Sequence, residues 1–375
     1  MMNEKKLTRN KGYDILRIIA ILFVLFCHKY SYSAPELIDG IDFWYVLTLA
    51  LSILYKSGPP LFLMISGALL LGKTESFQKI LTHRILRFLI LMAGCTVVVC
   101  IIHSRNNFPF RVDRVFFGEL NWYLYAYLAF LLMLPFLRLI AQNADEGQQK
   151  LYLILTFVFY SISGLFLFLG VDAKLLDNMP LFNTVYASNC WQLTFPLAGY
   201  FIANVIKSGD PAKIRKLEIA AVVAALMNLL QGEILFSLDR FTKDGLNLEM
   251  MRQHACFGPA CLIFILCLLW AEKAAERAAG EAEEETEEAA DGERSSDANG
   301  FGAWLLTELS AATLGVFLIE THTNFSGLLS LKIVEWPIVA DLPYTRSILA
   351  VAIEFVAYSL FVILLRRIPG VKKIL

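Results

Sequence analysis

The sequence predicts an all-α membrane protein: a polytopic bundle of about ten transmembrane helices with both termini in the cytoplasm. Three observations carry this. Of the 375 residues 57% are hydrophobic and only 18% are charged, and mean hydropathy is +0.58. A soluble domain carries more charge and interrupts its apolar stretches. The apolar residues gather into runs of the length that crosses a bilayer. Lys and Arg are also spread unevenly between alternate loops. The same composition excludes a disordered chain, a nucleic-acid-binding module and a disulfide-stapled secreted domain.

The predicted spans lie near 14–33, 44–71, 85–103, 121–139, 151–169, 190–206, 216–233, 255–271, 303–325 and 347–365. The first follows a basic flank (Lys5, Lys6, Arg9, Lys11) but has no small-x-small cleavage site after it, so it reads as a retained helix. The second is interrupted by Lys56, Gly58, Pro59 and Pro60, which predicts a bent helix. With the N-terminus inside, the inner flanks hold 21 Lys and Arg against 9 in the outer loops. That asymmetry selects an even number of spans with both ends cytoplasmic.

The net charge of −1 conceals an acidic segment, 272–300, that carries −8 while the rest of the chain carries +7. A basic remainder suits cytoplasmic loops facing anionic lipid. The acidic segment falls between spans eight and nine, within one membrane domain covering 1–375. Its Ala/Glu part predicts a solvated helix and its Ser/Gly/Asp end a disordered stretch. No internal repeat is visible, which argues against an inverted-repeat transporter. Cys27, Cys95, Cys100, Cys190, Cys256, Cys261 and Cys267 form no CxxC pair and mostly lie in apolar runs. They read as small buried hydrophobes, with no metal or redox site.

Charges inside spans are costly and mark functional candidates. Arg17 and His28 share the first span, eleven residues apart. Eleven steps of about 100° end about 20° past three full turns, so the two share a face, about 16 Å apart along the axis. Snorkelling of Arg17 to lipid phosphates is the alternative, but it does not require a common face with His28. His28 is the best-placed general acid/base, since histidine is the side chain suited to proton transfer near neutrality and this one sits within a span. His83, His103 and His254 read as interfacial, and His322 lies late in the ninth span. Glu320, also in the ninth span, has Arg17 and His28 as candidate partners; Glu354 is a similar case in the tenth. Arg84 and Arg87 are three residues apart at the mouth of the third span, where two guanidiniums on one face can clamp phosphates or simply anchor the helix. Trp122 and Tyr123 open the fourth span, placed either as an aromatic belt or as a platform for a sugar ring.

These residues together give the chain its resemblance to the acyltransferase-3 family, integral membrane O-acyltransferases of bacterial surface polysaccharides. The match rests on the Arg17-x10-His28 spacing, the Pro60-Leu-Phe-Leu-Met-Ile-Ser-Gly67 stretch, the Arg84-x-x-Arg87 pair and Trp122-Tyr123-Leu124, in the family's order. The resemblance implies transfer of an acyl group, usually acetyl from acetyl-CoA, to a carbohydrate hydroxyl. It implies His28 and Arg17 as the essential pair and Arg84 and Arg87 as holders of the CoA phosphates. It also implies a multi-pass protein of the bacterial plasma membrane, whose partners are acyl-CoA, a glycan acceptor and the bilayer. The family's Tyr-Leu-x-His stretch stands here as Phe317-Leu318-Ile319-Glu320, with His322 two residues on, so Glu320 joins the catalytic candidates. The competing reading is a transporter or flippase that uses Arg17, His28 and Glu320 for substrate or protons. A membrane sensor module is a third.

Overall fold

The computed structural model describes residues 10–29, 43–105, 122–169, 171, 175, 179–183, 190–242, 255–288, 297–321 and 345–372. About 91% of them are helical and they include no strand. In chain order the long helices are α1 (Lys11–Lys29), α2 (Phe43–Tyr55) and α3 (Gly58–Leu70). A short α4 (Phe77–Ile80) leads through a π-helical turn, Leu81–Ile85, into α5 (Leu86–Arg105). Next come α6 (Trp122–Asn143), α7 (Glu146–Phe168) and α8 (Trp191–Lys207). The remaining long helices are α9 (Pro211–Thr242), α10 (Phe257–Glu288), α11 (Asp297–Thr321) and α12 (Thr345–Leu365).

Local chemistry starts several of these helices. The side chain of Asn10 accepts the Gly12 N–H at 2.8 Å and caps α1. Asp145 and Gln148 exchange bonds of 2.8 and 2.9 Å, a reciprocal cap at the head of α7. Asp210 accepts from the N–H groups of Ala212 and Lys213, with Pro211 as the first helical residue of α9. The predicted bend in the second segment is present. α2 ends at Tyr55, Lys56 and Ser57 form a turn, and Pro59 and Pro60 sit in the first turn of α3, where their missing N–H groups cost nothing.

Seven helices among the described residues are long and apolar enough to cross a bilayer. They are Phe43–Leu70 (α2 and α3 together), Trp122–Asn143, Glu146–Phe166, Pro211–Ile234, Phe257–Arg277, Gly302–Glu320 and Ile348–Leu365. The other three predicted segments are helical as α1, α5 and α8. α1 is diluted by Lys11, Asp14, Arg17 and Lys29, and α8 is only 17 residues long. The outer faces of the bundle are apolar: Val223, Leu226 and Leu230 on α9 and Leu360 and Leu364 on α12 are exposed, as a lipid-facing surface requires. α10 runs on past its apolar part to Glu288, so the Ala/Glu stretch of the acidic segment is helical; residues 289–296 lie outside the described residues.

α3 is the hub. It packs chiefly on α8 and also on α1 and α10, with Leu61, Leu63, Met64 and Ile65 in the core. Gly67 makes the α3–α8 contact possible, because a Cβ there would collide with the backbone of Pro196. Gly199 opposes the backbone of Met64 in the same way. Membrane helices associate without a hydrophobic drive between them, so close backbone approach at small residues supplies dispersion contact instead. The Ser66-Gly67 pair is therefore explained first by packing. Cys27, Cys256 and Cys261 are buried, and Cys190 and Cys267 are half-buried.

Candidate functional site

A polar seam runs between α1 and α11. At one end the Arg17 Nη1 donates to Asp14 Oδ1 at 2.9 Å and reaches Ser310 Oγ at 3.4 Å. Ser310 in turn donates to Asp14 Oδ1 at 2.7 Å. Asp14 is 2% exposed, and a polar group so buried needs hydrogen-bond partners such as these. At the other end His28 Nδ1 lies 3.8 Å from Glu320 Oε1, an ion-pair distance rather than a hydrogen bond. Arg17 and His28 are eleven residues apart and Ser310 and Glu320 ten. The two helices therefore run parallel and nearly in register, and the shared face predicted for Arg17 and His28 is the face turned to α11. Of the two candidate partners of Glu320, His28 is the one placed beside it. Glu320 is 6% exposed, whereas the His28 side chain keeps about a third of its surface open.

A cavity of about 340 Å³ opens beside the seam. His83, Arg84 and Arg87 line its mouth, and Arg17 and Thr313 line its wall. Its interior is aromatic, with Phe62, Phe88, Tyr127, Tyr123 and Phe317. Among the described residues its charged lining groups are the cations Arg17, Arg84 and Arg87. Arg84 lies in the π-helical turn and Arg87 one turn later, and both reach the same opening. Such turns interrupt a regular helix and recur at functional sites.

Arg84 is held from outside the cavity. Its Nε and Nη2 donate to the two oxygens of Glu75 at 3.0 and 2.7 Å. Arg138, 6% exposed, donates to Glu75 at 2.9 Å and to the Leu70 carbonyl at 3.0 Å. The paired Arg84 guanidinium, helped by Arg138, holds the Glu75 carboxyl down at about 2, so it is ionised at neutral pH. Glu75 fixes one edge of the Arg84 fork; Nη1 is not engaged by it.

The other predicted residues divide. Tyr123 is buried, lines the cavity and meets Phe317 edge-on at 5.1 Å. Trp122 is half exposed and does not line the cavity; it packs edge-on against Trp191 at 5.6 Å. Glu354 is buried on α12. His322 lies outside the described residues. Asp14, Ser310, Glu75 and Arg138 were not among the sequence candidates. Only Asp14 carries a local signal, its three-residue spacing from Arg17 on one helix face. Among the described residues no group of three or more His, Cys, Asp or Glu could hold a metal ion.

A lipid-facing helix bundle with seven helices able to cross a bilayer among its described residues is an integral membrane protein. Sequence comparison assigns the class of work: the chain belongs to the acyltransferase-3 family, whose acyltransferase-domain model matches residues 10–366, nearly the whole chain. It is a multi-pass membrane acyltransferase. No curated protein and no solved structure matches the chain.

Proposed function

We propose that this acyltransferase moves an acyl group, most simply acetyl, from acyl-CoA to a hydroxyl of a cell-surface glycan or its lipid-linked precursor. The observation that carries the reading is the cavity itself. It joins a cationic mouth to Arg17 and to the α11 face on which Glu320 follows Phe317. A CoA ester is a polyanion with a long, weakly polar arm. Phosphates suit His83, Arg84 and Arg87 at the mouth, since guanidinium forks bind phosphate in two-point fashion. The arm suits the aromatic walls formed by Phe62, Phe88 and Tyr127. The acceptor hydroxyl would be met by His28. Its Nδ1 faces Glu320, so Nε2 is the nitrogen that takes the hydroxyl proton as that oxygen attacks the thioester carbonyl. Glu320 then stabilises the charged ring, as a carboxylate behind a base does elsewhere. Arg17, steered by Asp14, lends positive charge to the cavity wall short of the His28–Glu320 level, where it orients the anionic donor. Trp122, half exposed beside Trp191, offers a face on which a sugar can stack, with Tyr123 behind it.

The placement proposed is a bacterial plasma membrane with ten spans, α1, α5 and α8 joining the seven, and both termini and the acidic segment on the cytoplasmic side. The excess of Lys and Arg on the inner flanks supports it. Cysteines introduced into 272–300 should resist impermeant thiol reagents added outside intact cells; efficient labelling there would reverse the topology.

The donor site is tested with purified protein and acyl-CoA. Thioester consumption is expected to depend on a hydroxyl acceptor. Arg84→Ala and Arg87→Ala should raise the KM for acyl-CoA by about tenfold each while kcat changes little, because phosphate contacts mainly position the donor. An unchanged KM in well-expressed variants would remove them from the donor site. Solute movement with no thioester consumed would instead identify a transporter.

A further inference from the structure

The inner end of the cavity carries information about the acyl group. On α11 the cavity-lining residues Thr313, Leu314 and Phe317 share one face, and Glu320 comes next on it. Phe317 is 3% exposed and Tyr123 6%, and their rings meet edge-on with centroids 5.1 Å apart. Tyr123 is backed by Phe62 and Tyr127, each at 6.3 Å. Both rings line the cavity, whereas neither His28 nor Glu320 is among its lining residues. Phe317 is thus the cavity-lining residue of α11 that stands nearest Glu320 along the helix.

We infer that Phe317, braced by Tyr123, is the residue that sets acyl-chain length, admitting a short acyl group and rejecting a long one. The inference rests on the donor reading above, in which the phosphates stay at the mouth and the thioester arm points inward. The acyl group is then the part that meets the Phe317 ring. Phe317 lies three residues before Glu320, about 4.5 Å lower along α11, and about 10 Å beyond the level of Ser310 and Arg17. A two-carbon acyl group brings its carbonyl up to the ring, within about one turn of the His28–Glu320 level. There the acceptor oxygen attacks the carbonyl carbon and the C–S bond breaks. The hydroxyl proton passes to His28, and the sulfur departs with a proton as the CoA thiol. A longer chain has its tail against the ring. It either holds its carbonyl back toward Arg17, out of reach of the acceptor, or forces the packed rings of Phe317 and Tyr123 apart. Overfilling a packed site is unfavourable even by single methylenes.

The test measures dissociation constants of CoA, acetyl-CoA and hexanoyl-CoA for the full chain in lipid nanodiscs. Wild type, Phe317→Leu and Phe317→Ala are compared. Wild type should bind hexanoyl-CoA at least about tenfold more weakly than acetyl-CoA, and Phe317→Ala should narrow that gap to about threefold or less. Phe317→Leu should fall between, and CoA itself should bind all three alike. CoA is the internal control for the donor reading. If wild type fails to bind CoA, that reading falls and the inference with it. If CoA binds but wild type holds the two esters equally, or the gap persists in variants that bind CoA, the chain-length role alone is overturned. Should Phe317→Ala lose CoA through misfolding, Phe317→Leu decides.

Discussion

His28→Ala is expected to lower acyl transfer by about 10²- to 10⁴-fold, the usual contribution of a positioned general base, while the protein still inserts and binds acyl-CoA. The expectation rests on where the ring sits. Its Nδ1 is 3.8 Å from a carboxylate that is 6% exposed, so one nitrogen has an acidic neighbour and the other is available to a substrate proton. The side chain keeps about a third of its surface open, and an acceptor needs that access. The proposed donor site lies apart from it, since His28 is not among the residues that line the cavity with Arg84 and Arg87. Loss of the ring should therefore appear in kcat and leave the KM for acyl-CoA nearly unchanged. The check is acceptor acylation by well-expressed protein, with acyl-CoA binding measured in parallel. Normal acylation would take His28 out of the mechanism and make Glu320 the next base to test. Lost binding with intact chemistry would make it a donor ligand.

The parts of this site that were legible in the sequence are those written in local periodicity or in anomaly. The common face of Arg17 and His28 follows from their spacing on one helix. Glu320 stands out because an acid inside an apolar run is costly. The bend at Lys56–Pro60 follows from proline chemistry. What was not legible is long-range. Ser310 meets Asp14 across 296 positions, and Arg138 meets Glu75 across 63. Neither pairing has a signature in its own segment: Ser310 is one hydroxyl among many, and Glu75 lies in an ordinary polar turn. Arg138 stands at the end of an apolar run like any flanking cation, yet it is buried and donates to the Leu70 carbonyl. His83 was read as interfacial, and it is exposed, but the π-helical turn also brings it to the cavity mouth. The span count shows the same division. Apolar runs announce themselves, while α1 and α8 are shortened or diluted by the residues that build the seam and the hub.

Asp14 gives the second large effect, and it tests whether the seam acts as a unit. Asp14→Ala removes the carboxylate to which Arg17 donates at 2.9 Å and Ser310 at 2.7 Å. Breaking a fully buried ion pair costs about 3–5 kcal/mol; with Arg17 still 28% exposed, a loss of about 1–3 kcal/mol is expected. The functional loss should be larger than stability alone explains, because the Arg17 guanidinium loses its orientation toward the cavity wall. Transfer should fall to about the level of Arg17→Ala, on the order of 100-fold, since a misplacement of the bound donor by about 1 Å can cost that much. Asp14→Asn keeps an acceptor oxygen in place and should lose less. The decisive measurement is the double variant. If Asp14 works through Arg17, the Asp14→Ala, Arg17→Ala protein should be no slower than Arg17→Ala alone, because residues in contact do not contribute independently. Losses that multiply would show that Asp14 acts apart from Arg17. Normal transfer by Asp14→Ala, with Arg17→Ala inactive, would reduce the buried pair to a packing contact.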